Sequence, residues 1–207
     1  MPRISPIAEN DASEKVAQTF GRIRELLGTD EVPPMFLAMG RVEAFLRDAF
    51  MNFKKFVGTD GAIDSQTKAA LALAVSCHAK SEPWIEFYAE RCRATGFSDQ
   101  QVAEIIAVAS TNYMYNTFFK FRDLSGSDLF EGMGVGLRAH TFANTSLDEK
   151  TVELINTAVS DLNACQPCTS GHVESARKLG IKDDQLLEAI QCAATVYALA
   201  QFTNAAG

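Results

Sequence analysis

The chain has 207 residues, long enough to bury a sizeable apolar core as one domain or two small ones. It carries 26 acidic and 19 basic residues, a formal charge of -7, and its lysines and arginines form no run dense enough to follow a phosphate backbone. The N terminus has acids and prolines where a secretory signal has its apolar stretch, and the longest apolar run, 69–75, is too short to cross a bilayer. We therefore expect a soluble, cytoplasmic protein that binds neither nucleic acid nor membrane.

Cysteine usage points to the same compartment. The chain has five cysteines, an odd number, and only Cys165 and Cys168 are close in sequence. Secreted proteins that depend on disulfides usually have an even, distributed set, so a reducing cytoplasm fits better. Cys77, Cys92 and Cys192 lie in apolar helical stretches and are expected to pack as small hydrophobic side chains without a chemical role.

Helical periodicity dominates the chain from its N terminus onward, and no comparable period-2 stretch appears. The clearest apolar sets are Val16, Phe20, Ile23 and Leu27; Phe45, Phe50, Phe53 and Phe56; and Val102, Ile105, Ile106 and Ala109. Two capping boxes, Ser98 with Gln101 and Ser146 with Glu149, are predicted to mark helix starts. The predicted fold class is all-α.

A glycine-rich segment, 125–136, is the clearest interruption of this pattern and is predicted to be a loop. We expect a single all-helical domain over 1–207. Its N-terminal part, 1–124, would contain a degenerate repeat, 125–145 would be the linking loop, and 146–207 would be the repeat that carries the reactive residues.

The two halves resemble each other when the second is laid on the first at one constant shift, which we term the repeat shift and which places Ala158 on Ala74. The pairs that match at this shift also include Ser76 and Ser160, Pro83 and Pro167, Arg93 and Arg177, Gly96 and Gly180, Gln101 and Gln185, Glu104 and Glu188, and Tyr113 and Tyr197. An ordered run of this kind predicts a duplicated helical unit.

The two copies differ at their reactive positions. Where the second has Glu153, Cys165, Cys168 and His172, the first has Ala69, Ser81, Trp84 and Tyr88. Only the second copy can therefore carry thiol chemistry, and the first is predicted to be scaffold.

The helix that carries His172 brings an imidazole close to a thiol. Pro167 has no N–H and is tolerated in the first turn of a helix, so this helix is predicted to begin close to Asn163 or Cys165. Cys168 then lies near the positive helix end, where free N–H groups and the helix dipole favour the thiolate. His172 follows Cys168 by four residues, so both share one helical face and the imidazole can act as an acid or base.

A thiol pair of this kind suits peroxide reduction. A thiolate attacks a peroxide to give a sulfenic acid and an alcohol or water, and the sulfenic acid must be trapped before it is oxidised further. A second cysteine three residues away can trap it as a Cys165–Cys168 disulfide, which an external reductant then opens by thiol–disulfide exchange.

The arrangement resembles the alkylhydroperoxidase D branch of the carboxymuconolactone decarboxylase-like superfamily, in which a helix with a glutamate leads into a CxxC followed by a histidine. The matching residues here are Glu153, Cys165, Cys168 and His172. The resemblance implies an all-helical fold and hydroperoxide reduction in which Cys168 attacks and Cys165 resolves. It also implies that Glu153 and His172 form a proton relay. Pro167 departs from the mycobacterial type, which has histidine before the second cysteine.

The resemblance further implies a hydroperoxide substrate, a thiol reductant or redox partner protein, and a homo-oligomer, either trimer or hexamer. We expect no cofactor and no bound metal.

Two alternatives remain open at this point. The superfamily's lactone decarboxylase chemistry needs acid and base groups but no dithiol. A non-enzymatic protein, zinc-binding or redox-sensing, would use the same residues, since two thiolates, an imidazole and a carboxylate are good zinc ligands.

Overall fold

The computed structural model describes residues 2–207, and these form nine α-helices and no strand. The helices are α1 (Glu14–Leu27), α2 (Pro34–Met39), α3 (Glu43–Phe53), α4 (Ser65–Ala79), α5 (Glu82–Ala94), α6 (Asp99–Leu124), α7 (Glu149–Leu162), α8 (Gln166–Lys178) and α9 (Asp183–Ala206). A π-helical turn, Lys54–Gly58, extends α3. The all-α prediction is confirmed. None of the helices in 2–207 combines the length and the apolar character needed to span a bilayer.

The two copies are the helix triplets α4–α6 and α7–α9. Their helices begin at positions that the repeat shift pairs, namely Ser65 and Glu149, Glu82 and Gln166, and Asp99 and Asp183. The turn between the first two helices of each triplet also repeats, because Lys80 (φ 55°) and Ala164 (φ 52°) both adopt the left-handed conformation. The predicted duplication of the helical unit is confirmed.

The copies exchange their third helices. Helix α6 of the first copy packs against α7 of the second, and α9 packs against α4. Similar hydrogen bonds fasten both exchanges: Glu104 Oε2 accepts from Ser146 N at 2.8 Å, and Glu188 Oε2 accepts from Ile63 N at 2.8 Å. The reactive residues on α7 and α8 therefore face a wall that belongs to the first copy.

Of the two predicted capping boxes, one is confirmed. Ser98 forms both reciprocal bonds of a capping box at the start of α6. At the start of α7 the prediction is wrong, since the N-cap is Asp148, whose carboxylate accepts from Thr151 N at 3.2 Å. Ser146 is engaged elsewhere, because its N–H and hydroxyl both donate to Glu104. The contact between Ser146 and Glu104, which lie in different copies, thus prevents Ser146 from capping α7.

In the first copy, Trp84 fills the place that corresponds to Cys168. Its side chain is wholly buried, lies edge-on to Phe36 with ring centroids 5.5 Å apart, and stacks on Tyr88 at 5.6 Å. The indole Nε1–H donates to Thr203 Oγ1 at 2.9 Å. The N-terminal helices α2 and α3 supply Phe36 and Phe53 to this cluster. The corner between α4 and α5 is thereby closed by packing.

A buried ion pair joins α4 to α9, and its two side chains also bind the segment before α4. Lys68 is wholly buried, and its Nζ donates to Glu188 Oε1 at 3.0 Å and to Thr59 O at 2.7 Å. Gly61 passes so close that an added Cβ would meet Glu188 Oε1 at 2.0 Å. The carboxylate is therefore enclosed by backbone as well as paired.

Glu188→Ala is expected to lower the free energy of unfolding by about 3–5 kcal/mol, because it leaves the Lys68 ammonium buried without its counter-ion. Urea denaturation measures this. The matched control is Glu104→Ala, which removes the equivalent carboxylate in the other exchange, where no buried cation depends on it. Equal losses in the two variants would contradict the role assigned to the ion pair.

Candidate active site

The α7–α8 corner presents the two cysteines. Helix α7 ends at Leu162, Ala164 takes the left-handed turn, and Cys165 is the N-cap of α8. The N–H of Cys165 donates back to Ser160 O at 3.1 Å, which closes the turn. Pro167 lies in the first helical turn, where its missing N–H costs no hydrogen bond. The predicted helix start is confirmed.

A disulfide joins Cys165 and Cys168, whose Cα atoms are 5.3 Å apart. The two cysteines differ in accessibility: Cys165 is wholly buried, whereas Cys168 is partly exposed. A molecule that approaches from solvent can therefore reach Cys168 and is kept away from Cys165.

His172 and Glu153 form a close pair across α8 and α7. The His172 Nδ1 atom lies 2.6 Å from Glu153 Oε1, and the two side chains are 22% and 14% exposed. Because a carboxylate only accepts hydrogen bonds, Nδ1 carries the proton of this bond. The bond to the carboxylate fixes the orientation of the ring.

A cavity of about 290 Å³ lies beside Cys168 and His172. Its lining comes from α8, from α6 of the first copy and from the linking segment, and consists of Pro167, Cys168, Gly171, His172, Ser175, Asn112, Tyr115, Asn116, Phe119 and Phe142. The Tyr115 hydroxyl donates to Leu137 O at 2.8 Å and so ties the linking segment to α6. The Cys168 sulfur and the His172 imidazole thus share one cavity, with three aromatic side chains in its wall.

The α6 side chains of this wall were not singled out as site residues by sequence reasoning. The signal that identifies them is the comparison of copies: Asn112 and Asn116 are wholly buried, and the repeat shift pairs them with the apolar Val196 and Ala200. Burying an amide is costly, and the equivalent helix face of α9 is apolar. The asparagines on α6 therefore indicate that polar groups are needed at this position.

The remaining cysteines lie in a different chemical environment. Burial raises the pKa of the Cys77 thiol to about 11 and the pKa values of Cys92 and Cys192 to about 12. Cys92 and Cys192 are wholly buried, as predicted. Cys77 differs, because it is only half-buried and lines a separate cavity of about 220 Å³. All three are held as neutral thiols at neutral pH, the form that is a poor nucleophile.

Within residues 2–207, no group of three or more His, Cys, Asp and Glu side chains is placed to hold a metal ion. The two sulfurs that a zinc site would need are bonded to each other.

Comparison with known proteins links the chain to one family. The sequence profile of the carboxymuconolactone decarboxylase family matches residues 46–114 and 130–207. Among curated proteins, the alkyl hydroperoxide reductase AhpD of Maricaulis maris is 30% identical over 156 residues, which cover 75% of this chain and 89% of that protein. The alkyl hydroperoxide reductase AhpD of Koribacter versatilis is 26% identical over 159 residues, 77% of this chain and 81% of its own.

A solved structure shares the fold. It is a crystal structure named as a gamma-carboxymuconolactone decarboxylase subunit from Burkholderia xenovorans, and it superposes with a TM-score of 0.65 over 91% of this chain and 94% of its own. Sequence identity across the superposition is 14%, so this likeness concerns the fold alone.

Proposed function

The chain belongs to the carboxymuconolactone decarboxylase family, on its alkylhydroperoxidase D-like branch, and we propose that it reduces organic hydroperoxides through Cys165 and Cys168. The observation that carries the proposal is the partly exposed Cys168 in one cavity with His172, with Cys165 buried behind it. The family's decarboxylase chemistry needs no dithiol, so the complete cysteine pair supports the peroxidase.

In the first step, the Cys168 thiolate attacks the terminal oxygen of the hydroperoxide. A sulfur–oxygen bond forms, the O–O bond breaks, and the alkoxide leaves with the bonding electron pair and takes up a proton. Sulfur is oxidised to a sulfenic acid, and the hydroperoxide is reduced to an alcohol.

In the second step, the Cys165 thiol attacks the sulfenic sulfur of Cys168. The disulfide forms and the hydroxyl departs as water, which ends the oxidative half of the cycle. An external dithiol, or two equivalents of a monothiol, then returns the pair to two thiols and is itself oxidised to a disulfide. The exposure of Cys168 makes it the sulfur that this reductant attacks.

In this proposal, His172 transfers the protons. The Glu153 carboxylate, 2.6 Å from Nδ1, stabilises the imidazolium that forms when Nε2 takes the Cys168 proton. The same proton is then available for the leaving alkoxide, so one histidine serves as base and acid in turn.

The cavity wall favours an organic substrate. Tyr115, Phe119 and Phe142 give the cavity apolar surface suited to an alkyl or aryl group, whereas hydrogen peroxide would gain nothing from such contacts. The identity of the thiol reductant or redox partner and assembly into trimers or hexamers stay predictions.

The proposal is tested by titrating the reduced protein with cumene hydroperoxide and counting free thiols. Both thiols of the pair are expected to disappear with one equivalent of peroxide, and mass spectrometry should find the disulfide in the tryptic peptide 151–177, which contains Cys165 and Cys168 and no other cysteine. Cys77, Cys92 and Cys192 should stay free, because burial raises their pKa values to about 11 to 12.

Thiol loss from the other three cysteines, or none at all, would count against the proposal. Stoichiometric zinc in protein purified under reducing conditions would favour the non-enzymatic alternative instead.

A further inference from the structure

A buried hydrogen-bonded cluster, which we term the asparagine cluster, joins α6 to the α7–α8 corner. Its members are Asn112, Asn116, Ser160 and Asn163, of which the first three are wholly buried. Asn116 Nδ2 donates to Asn112 Oδ1 at 2.9 Å and to Ser160 Oγ at 3.0 Å. Asn163 Nδ2 donates to Asn116 Oδ1 at 2.9 Å. The cluster thus runs from α6 to Asn163, the C-cap of α7, two positions before Cys165.

The amide hydrogens of Asn112 and Asn116 are all used in hydrogen bonds to α6 and α7. Asn112 Nδ2 donates to Asn156 O at 2.7 Å and to Ser160 Oγ at 3.2 Å, so neither of its hydrogens is free. Asn116 also spends both hydrogens on cluster partners. Both residues border the cavity, but their side chains are wholly buried and no amide hydrogen is left for a ligand, so we assign the cluster an effect on the protein's own geometry.

The equivalent pair of helices, α9 and α4, lacks this cluster. At the repeat shift, the counterparts of its four members are Val196, Ala200, Ser76 and Ala79. Only the serine is kept, and Ser76 Oγ donates within its own helix, to Ala72 O at 2.7 Å. The helices α4 and α9 therefore pack without such amides, and the amides between α6 and α7 meet a requirement that the fold itself does not impose.

The requirement follows from the cavity. In the first copy, the corner between α4 and α5 is held by Trp84, wholly buried and hydrogen-bonded to Thr203. In the second copy, Cys168 replaces the tryptophan and an open cavity of about 290 Å³ lies beside it. An open cavity supplies no packing partner for the corner. The hydrogen bond between Asn116 on α6 and Asn163 holds the corner instead. In a buried setting, hydrogen bonds fix the relative position of two segments more closely than dispersion contacts do.

We propose that the asparagine cluster is a positioning device that holds the α7–α8 corner, and with it Cys165, beside Cys168 while the disulfide is open. The biological purpose of this device rests on the proposed peroxidase function, whereas its effect on the cysteine pair does not. Its physical consequence is a high effective concentration of the Cys165 thiol at Cys168. That concentration stabilises the disulfide relative to the dithiol, and it speeds closure onto the sulfenic acid.

The test compares the reduction potential of the pair in matched variants, by equilibration with glutathione of known redox ratio. The triple variant Asn112→Val/Asn116→Ala/Asn163→Ala carries the residues found at the equivalent positions of α9 and α4, so Ser160 can donate to Asn156 O as Ser76 does to Ala72 O. We expect the effective concentration to fall about tenfold, which makes the potential less negative by about 30 mV. Ser160→Ala removes the shared hydroxyl and should shift the potential in the same direction.

Ser76→Ala is the matched control, since it removes the equivalent buried hydroxyl from the copy that lacks the redox pair. It is expected to leave the potential unchanged, even if both serine variants lose thermal stability. If the potentials of Ser160→Ala and Ser76→Ala agree with wild type, or shift together, the proposal is overturned. Should the triple variant fail to fold, the serine pair decides alone. No peroxide is used in this measurement. A protein that proved inactive with peroxides would therefore contradict the proposed function but would leave the measured potentials, and the conclusion drawn from them, unchanged.

Discussion

Cys168→Ser is expected to abolish hydroperoxide consumption, because it removes the only sulfur of the pair that a substrate in the cavity can reach. Cys165 is wholly buried behind it and cannot substitute. The measurement is peroxide loss in the presence of excess dithiothreitol, with Cys77→Ser as the control that removes a half-buried thiol outside the site. The control should retain wild-type activity, since burial raises the pKa of Cys77 to about 11.

Cys165→Ser should behave differently. The attacking thiol remains, but no second thiol can condense with the sulfenic acid, so one turnover should stop at an oxidised Cys168 that dimedone traps. Excess peroxide should then carry Cys168 to the sulfinic acid, which mass spectrometry detects in peptide 151–177. If dimedone instead labels Cys165 in the Cys168→Ser protein, the roles are reversed. If neither variant is labelled and both bind zinc, the redox chemistry is wrong.

The proximity of Cys168 and His172 was predictable because their arrangement is local. Cys168 and His172 are one helical turn apart, and Pro167 fixes where that helix begins, so sequence spacing alone sets their proximity. The duplication was visible for a related reason: the repeat shift is constant and preserves residues that recur at each helix end, such as Gly96 and Gly180.

The wall that faces these residues was not predictable in the same way. Helix α6 reaches the site only because the copies exchange their third helices. The apolar periodicity of α6 predicts which of its faces is buried, but it does not predict which copy covers that face. The same exchange places Ser146 on Glu104 and leaves the capping of α7 to Asp148. Local capping patterns predict helix starts well only when no distant partner competes for the side chain.

His172→Gln is expected to slow peroxide reduction by about 10² to 10⁴-fold, the usual contribution of a general acid and base. Glutamine keeps a polar side chain of similar reach but cannot carry a proton between the thiol and the alkoxide. Dimedone should still label Cys168 in a Cys165→Ser background, because the histidine changes the rate and not the attacking sulfur. His140→Gln, at an exposed histidine of the linking segment, is the control and should be silent.

Glu153→Gln tests whether the histidine acts with its partner or alone. The glutamine oxygen can still accept the Nδ1–H bond seen at 2.6 Å, so the ring stays oriented, but the negative charge that stabilises the imidazolium is gone. We therefore expect a smaller loss than for His172→Gln, and a double variant no slower than His172→Gln itself, because the carboxylate works only through the ring. Losses that multiply in the double variant, measured as peroxide consumption by stopped flow, would show that Glu153 acts independently of His172 and would contradict the relay.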